Sequence, residues 1–190
     1  MLLNMPDAQT MIGIRNRAIL ETFYSTGIRL EEMTRLTIFD VDQAQGFVRI
    51  NLGKFAKDRV VPLGCKASEC LREYLGKVRT NWSLANHDER ALWLSSQTPH
   101  GPLKSQGIAV LVQHNGHQAG LMKPVTPHVW RHTCASHLVA RGANIAYVQR
   151  LLGHRSLRTT QIYTRTTITE LKATHAQAHP RGRSTALIQN

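Results

Sequence analysis

Between His128 and Tyr163 the chain collects His128, Arg131, His132, His154, Arg155, Arg158 and Tyr163 without a single acidic residue. Such a set suits a phosphodiester. Arg131 can fork two hydrogen bonds to non-bridging oxygens, and a histidine can donate another as charge builds in a phosphoryl-transfer transition state. Tyr163 offers a hydroxyl able to attack phosphorus and hold the product covalently.

The spacing predicts that these residues sit on separate short helices. Thr126-Pro127 reads as an N-cap followed by proline at the first helical position, and Gly142 as the residue just past the helix end, so His128 and Arg131 share a face. Asn144 can cap the next helix, whose apolar face is Ile145, Val148, Leu151 and Leu152, and Gly153 can close it in a left-handed conformation, with His154 just beyond. Ser156 is the expected cap of a third, LRTTQIY, which carries Tyr163 near its end at the surface. His128 and His132 also have the spacing of two metal ligands on one helical turn. No Glu follows the first His as a zinc protease motif needs, and no metal is expected. His132 and His137 are assigned supporting or packing roles.

At 190 residues the chain suits one domain with a proper core. A formal charge of +12 and a pI near 10.4 call for a polyanionic partner, nucleic acid first and an anionic membrane second. No apolar run is long enough to span a bilayer and the start lacks a signal-peptide pattern, so a soluble, cytoplasmic protein is expected. Cys65, Cys70 and Cys134 are odd in number and form no metal-binding pair pattern, which fits a reduced compartment without a disulfide framework.

Residues 1–11 read as a lead-in. From Ile12 to Thr26, Ile14, Ala18, Ile19, Leu20 and Phe23 recur at helical spacing, and Gly27 supplies the stop. Arg29 then opens a second helix, LEEMTRL, where backbone N–H groups point outward and could hold a phosphate. FVRIN, GKFAKDR and VVPL read as two antiparallel strands joined by a basic turn that projects Lys54 and Lys57. Ala67 to Val78 is a helix by pattern, with Leu71, Tyr74, Leu75 and Val78 inward, and Arg79 to Arg90 a polar loop. Ala91 to Leu94 reads as a short strand, and a Ser105-capped helix runs through Ala119. Thr167 and Glu170 have capping-box spacing for a last helix from about Ile168 to Ala178, stopped by His179-Pro180. Residues 181–190 read as a disordered or DNA-touching tail.

The runs HVWRHTCASHL and LLGHRSLRTTQIYT resemble the second half of the tyrosine recombinase (integrase) catalytic domain, closest to its Xer-like branch. The family's motif is His-x-x-Arg, then Leu-Gly-His, then the tyrosine that attacks DNA, in this order. YSTGIRLEEMTRLTIFDVD is similar to the family's first arginine motif, with Arg29 on the arginine and Glu32 and Asp40 on supporting carboxylates. GKFAKDRVVPLG is similar to the strand–turn–strand that carries the family's catalytic lysine. Lys54 is the matching position, and Lys57 the alternative.

The resemblance covers residues 12 to 178 and implies a mainly α fold with a small antiparallel β-sheet (α+β), as a catalytic domain over 12–180. It implies a site-specific recombinase that cleaves DNA through a 3′-phosphotyrosine on Tyr163. Arg29, Arg131, His128 and His154 would then serve the phosphate or the tyrosine proton, and Lys54 would protonate the leaving 5′ oxygen. Lys57, Arg59, Arg155 and Arg158 are the expected DNA contacts. Duplex DNA at the nucleoid is the implied partner, with no cofactor, and the last helix, anchored by Leu171 with Ile168 beside it, would dock on a neighbouring protomer of a tetrameric synapse. Family members usually carry a separate helical domain before the catalytic one, for which this chain has no room. A DNA-binding module without strand transfer and a type IB topoisomerase-like enzyme are the rival readings.

Overall fold

Helix α1 (Met11–Thr26) runs through the middle of the structure, a computed structural model that describes residues 2–51, 58–85, 89–153 and 165–183. Thr10 caps its start, the hydroxyl accepting the Gly13 N–H at 3.0 Å. From Ala18 to Thr26 every residue is buried, so the helix is enclosed on all sides instead of presenting one apolar stripe. It packs against α3 (Cys65–Glu73), α5 (Ser105–Gln118) and α6 (Pro127–Ala140).

After the short α2 (Leu30–Arg35) the chain forms an antiparallel sheet in the order β1 (Val41–Asp42), β2 (Phe47–Ile50), β3 (Arg59–Pro62). Val48 stands opposite both Val41 and Val61. Val48 and Ile50 are buried while Arg49 between them is exposed, the period-two alternation of a sheet with one face on the core. The two-residue β1 is an addition to the expected hairpin. The basic turn, with Lys54 and Lys57, lies outside the described residues.

Two expectations in the middle of the chain are corrected. The helix begun at Cys65 does not give way to a loop at Arg79; it widens into one π turn over Tyr74–Arg79 and resumes as α4 (Thr80–Trp82). Arg79 is buried because its guanidinium donates to the Ala91 and Glu89 carbonyls at 2.7–3.0 Å, and Trp82 is buried with its ring stacked on His100. Ala91 to Leu94 is not a strand: it makes only isolated bridges, Thr37 to Ala91 and Leu94 to Pro102. Leu92, Trp93 and Leu94 are all buried, so the run faces the core on both sides and has no alternation to offer a sheet.

The caps of the later helices agree closely with local sequence. Thr126 accepts the Val129 N–H ahead of α6 with Pro127 at its first position, and Asn144 accepts the Ala146 N–H ahead of α7 (Ile145–Leu152). Gly153 closes α7 in the left-handed region. Helix α5 is capped one residue earlier than expected, at Lys104. On α7 Ile145 is exposed and Tyr147 takes its place in the core beside Val148, Leu151 and Leu152. The predicted LRTTQIY helix lies outside the described residues. Helix α8 (Arg165–Ala178) starts before the expected capping box and packs in cis on β3 and α6, with Leu171 buried. Glu21 of α1 receives Arg181 just past its end, Nε to Oε2 at 2.9 Å.

Candidate active site

The site begins at Gly27. Its φ of 57° is the left-handed turn that ends α1, its N–H returning to the Phe23 carbonyl. A Cβ there would lie 2.9 Å from Leu152 Cδ2 and 3.2 Å from Cys134 Sγ, so the glycine also lets α1, α6 and α7 meet. Two residues on, Arg29 leaves this junction at the start of α2.

Arg29 is held from two sides. Its Nη1 donates to Glu32 Oε1 at 3.0 Å and its Nη2 to the Gly153 carbonyl at 3.2 Å, while its backbone N–H donates to Glu32 Oε2 at 2.7 Å. The backbone donor expected to face a phosphate is therefore taken by Glu32. The Arg29 side chain stays 49% exposed. Glu32 is buried, and burial alone would raise its carboxyl. Hydrogen bonds from Arg59 and from Arg29 outweigh that and hold it at about 2, so it is a fixed anion.

Arg59 is a correction. Expected on the DNA, it is 4% exposed and points into the protein, forking onto Glu32 with Nη1 to Oε1 at 2.9 Å and Nη2 to Oε2 at 2.7 Å. Its Nε donates to the Leu151 carbonyl at 3.2 Å. The signal was present in the strand period: Arg59 shares the inward side of β3 with fully buried Val61.

Arg131, on the first turns of α6, donates from Nη1 to the Gly27 carbonyl and from Nη2 to the Leu152 carbonyl, both at 2.6 Å. Burial, then the nearby charge of Arg29, lowers it to about 10, which still leaves it cationic at neutral pH. Leu151, Leu152 and Gly153, three successive carbonyls at the end of α7, thus each receive a different arginine: Arg59, Arg131 and Arg29. These are groups a helix leaves without internal partners, at its negative end. Arg29 and Arg131 retain donors beyond those bonds, so two guanidinium groups from separate elements can face one anion there.

His128 is exposed on the same helix as Arg131, one turn before it, and His132 is exposed on the following turn. His137 supports packing, its Nδ1 2.6 Å from the Tyr24 hydroxyl. No cluster of potential metal ligands occurs among the described residues. Asp40 acts on the backbone: Oδ2 accepts the Thr37 N–H at 2.8 Å and hydroxyl at 2.7 Å, and Oδ1 accepts Asn51 Nδ2 at 2.5 Å. It ties down Asn51, three residues before Lys54 in the chain. Lys54, Lys57, His154, Arg155, Arg158 and Tyr163 lie outside the described residues; His154 follows directly on Gly153.

Sequence reasoning missed the histidines on the far side of α1. His175 and His179 stack at 4.5 Å, 1% and 3% exposed, against the Ser25 and Tyr24 carbonyls. Their i, i+4 spacing was the available signal.

Residues 1–170 match the phage integrase family. The tyrosine recombinase XerC of Syntrophus aciditrophicus is 39% identical over 185 residues, 96% of this chain and 59% of that protein. XerD of Listeria innocua is 38% identical over 181 residues, 95% of this chain and 60% of that one. This chain therefore spans about three-fifths of the length of the curated relatives it matches. The crystal structure of the XerA recombinase superposes with a TM-score of 0.67 at 30% identity, over 85% of this chain and 58% of that one. The integrase of mycobacterium phage Brujita shares the fold at a TM-score of 0.70 and 20% identity, over 97% of this chain and 57% of its own. The architecture is that of a tyrosine recombinase catalytic domain. The chain belongs to the phage integrase family, and over most of its length it is similar to the Xer members.

Proposed function

We propose that this chain cleaves and rejoins duplex DNA, with Tyr163 attacking a backbone phosphate to form a 3′-phosphotyrosine and releasing a 5′-hydroxyl. The observation that carries the reading is the convergence of Arg29 and Arg131 on the end of α7, immediately before His154. Two guanidinium groups there neutralise the non-bridging oxygens as negative charge grows in the transition state. His128 and His154 donate hydrogen bonds or manage the tyrosine proton, and Lys54 protonates the leaving oxygen, with Lys57 as the alternative. Glu32 and Asp40 orient Arg29 and the root of the basic turn. His132 has a supporting role beside Arg131. Lys57, Arg155 and Arg158 contact DNA.

The partner is double-stranded DNA in the cytoplasm, and the working form is a tetrameric synapse. Exchange of α8 between protomers would use the surface of β3 and α6 on which it packs in cis, since an identical protomer offers an identical surface. Covalent trapping tests the reaction: the protein is incubated with supercoiled DNA and quenched with detergent. An adduct is expected from the native chain and none from Tyr163→Phe, whose DNA affinity should stay within about threefold because one hydroxyl contributes little to a charge-dominated interface. Equal adduct yields from both would overturn the assignment of Tyr163.

A further inference from the structure

Arg59 joins three pieces of the site and touches none of the solvent-facing anion space. It is the first residue of β3, five residues after Lys54 in the chain. Its fork occupies both Glu32 oxygens, the same two oxygens that hold the Arg29 side chain and backbone N–H. Its Nε takes the Leu151 carbonyl, and its guanidinium atoms lie 3.0–3.1 Å from where a Gly153 Cβ would stand, so its flat face packs directly on Gly153, the residue that closes α7.

The i, i+3 ion pair of Arg29 with Glu32 would not hold itself in place. Arg29 is 49% exposed, and pairs with one partner in water fix little. What immobilises the carboxylate is the buried partner at 2.7 and 2.9 Å, in low-dielectric surroundings where a charge must be paired. A lysine could not reproduce this, since it has no planar fork and no third donor in fixed relation to the other two.

We propose that Arg59 is a positioning residue for strand cleavage: through Glu32 it sets the Arg29 guanidinium, and through Leu151 and Gly153 it sets the end of α7. This rests on the reaction proposed above. Arg59 does not meet the phosphate; it acts by where Arg29 is, so its loss lowers the rate with DNA bound and spares DNA binding.

Two measurements on the full chain test it, using Arg59→Met and, as the milder variant, Arg59→Lys. The first is the rate of Tyr163-dependent adduct formation on supercoiled plasmid as a function of DNA concentration. Arg59→Met should lower the saturating rate on the order of 100-fold, the cost of misplacing a catalytic group by about 1 Å, with half-saturation within about threefold. Arg59→Lys should recover part of the rate. The second is the ¹⁵N signal of the Arg29 guanidinium, assigned by its loss in Arg29→Lys, which should move towards the free-arginine position in Arg59→Lys and fully in Arg59→Met. An unmoved Arg29 signal in either variant, or a raised half-saturation with an unchanged saturating rate, overturns the proposal. Should Arg59→Met fail to fold, the Arg59→Lys signal and rate decide alone. If the native chain forms no adduct while the Arg29 signal still moves, the strand-cleavage reading fails and the hold of Arg59 on Arg29 stands.

Discussion

His175 and His179 share one buried stack, and each spends its Nε2–H on a carbonyl of α1, Ser25 at 2.8 Å and Tyr24 at 3.2 Å. The remaining nitrogen of His179 accepts the Arg181 N–H at 3.2 Å, so a proton placed there would break that bond. Burial lowers His175 to about 4, and burial with the neighbouring His175 lowers His179 to about 3, from an ordinary 6.5. Folded-state values below the unfolded ones mean that the unfolded chain binds more protons, so stability is complete above about pH 6.5 and is lost as pH falls towards 4 and 3. Going from pH ~7 to pH ~5, each unfolded imidazole takes up its proton while the folded one does not. At about 1.4 kcal/mol per pH unit over about 1.5 units, that is about 2 kcal/mol per histidine and about 4 for the pair. Glu32, held at about 2, begins to lose its stabilisation only below the ordinary carboxylate value of 4.5 and is silent in this window. Glu21, pushed up by burial, pulls the other way as the carboxylate range is approached. It is common to native chain and variants and cancels in their difference. The assay is urea unfolding followed by circular dichroism at both pH values for the native chain and for His175→Asn/His179→Gln, whose amides can still donate to the two carbonyls. The native chain should lose about 4 kcal/mol more than the double variant between the two pH values. An equal loss in both would refute the burial argument.

Gly27→Ala places a Cβ 2.9 Å from Leu152 Cδ2 at a φ of 57°, and strain plus repacking should cost roughly 2–3 kcal/mol in the unfolding midpoint; an unchanged midpoint would show that the α1, α6 and α7 junction yields freely. DNA affinity should fall by roughly a thousandfold between ~50 and ~200 mM salt if about six phosphates are contacted, and a flat log–log plot would remove the electrostatic basis of binding. Cys65 is exposed, whereas burial raises the thiols of Cys70 and Cys134, the latter to about 12. Mass spectrometry after brief alkylation should find one adduct, at Cys65, and two more only after unfolding.

What was legible in the sequence was local. Thr126-Pro127, Asn144, Gly27 and Gly153 each announce a helix boundary through a side-chain acceptor or a left-handed φ that neighbours within four residues decide, and all four stand where expected. The order of Arg29, His128 and Arg131 pointed to phosphate chemistry for the same reason: residue type and spacing are written in the chain. Arg59 was misplaced because its partner Glu32 lies 27 residues earlier, and a basic run before a strand looks solvated until that carboxylate is seen. Trp82 and Arg79 were read as loop because their partners, His100, Ala91 and Glu89, come later in the chain and only the fold brings them back. Helix α8 was recognised as a helix, but its hold on α1 depends on His175, His179 and Arg181 reaching Ser25, Tyr24 and Glu21, partners 150–160 residues earlier that the i, i+4 spacing of the histidines does not name.

The three arginine-held carbonyls at the end of α7 also say when the site can exist. The bond from Arg29 to Gly153 closes a separation of 124 residues, that from Arg59 to Leu151 one of 92, and that from Arg131 to Leu152 one of 21. Contacts of such long reach form only after the intervening chain has been ordered, since loop closure must precede them. A nascent or partly unfolded chain can have α6 and α7 in place and still lack the paired guanidinium groups. The paired guanidinium groups are thereby absent until residues 27 to 153 have folded together.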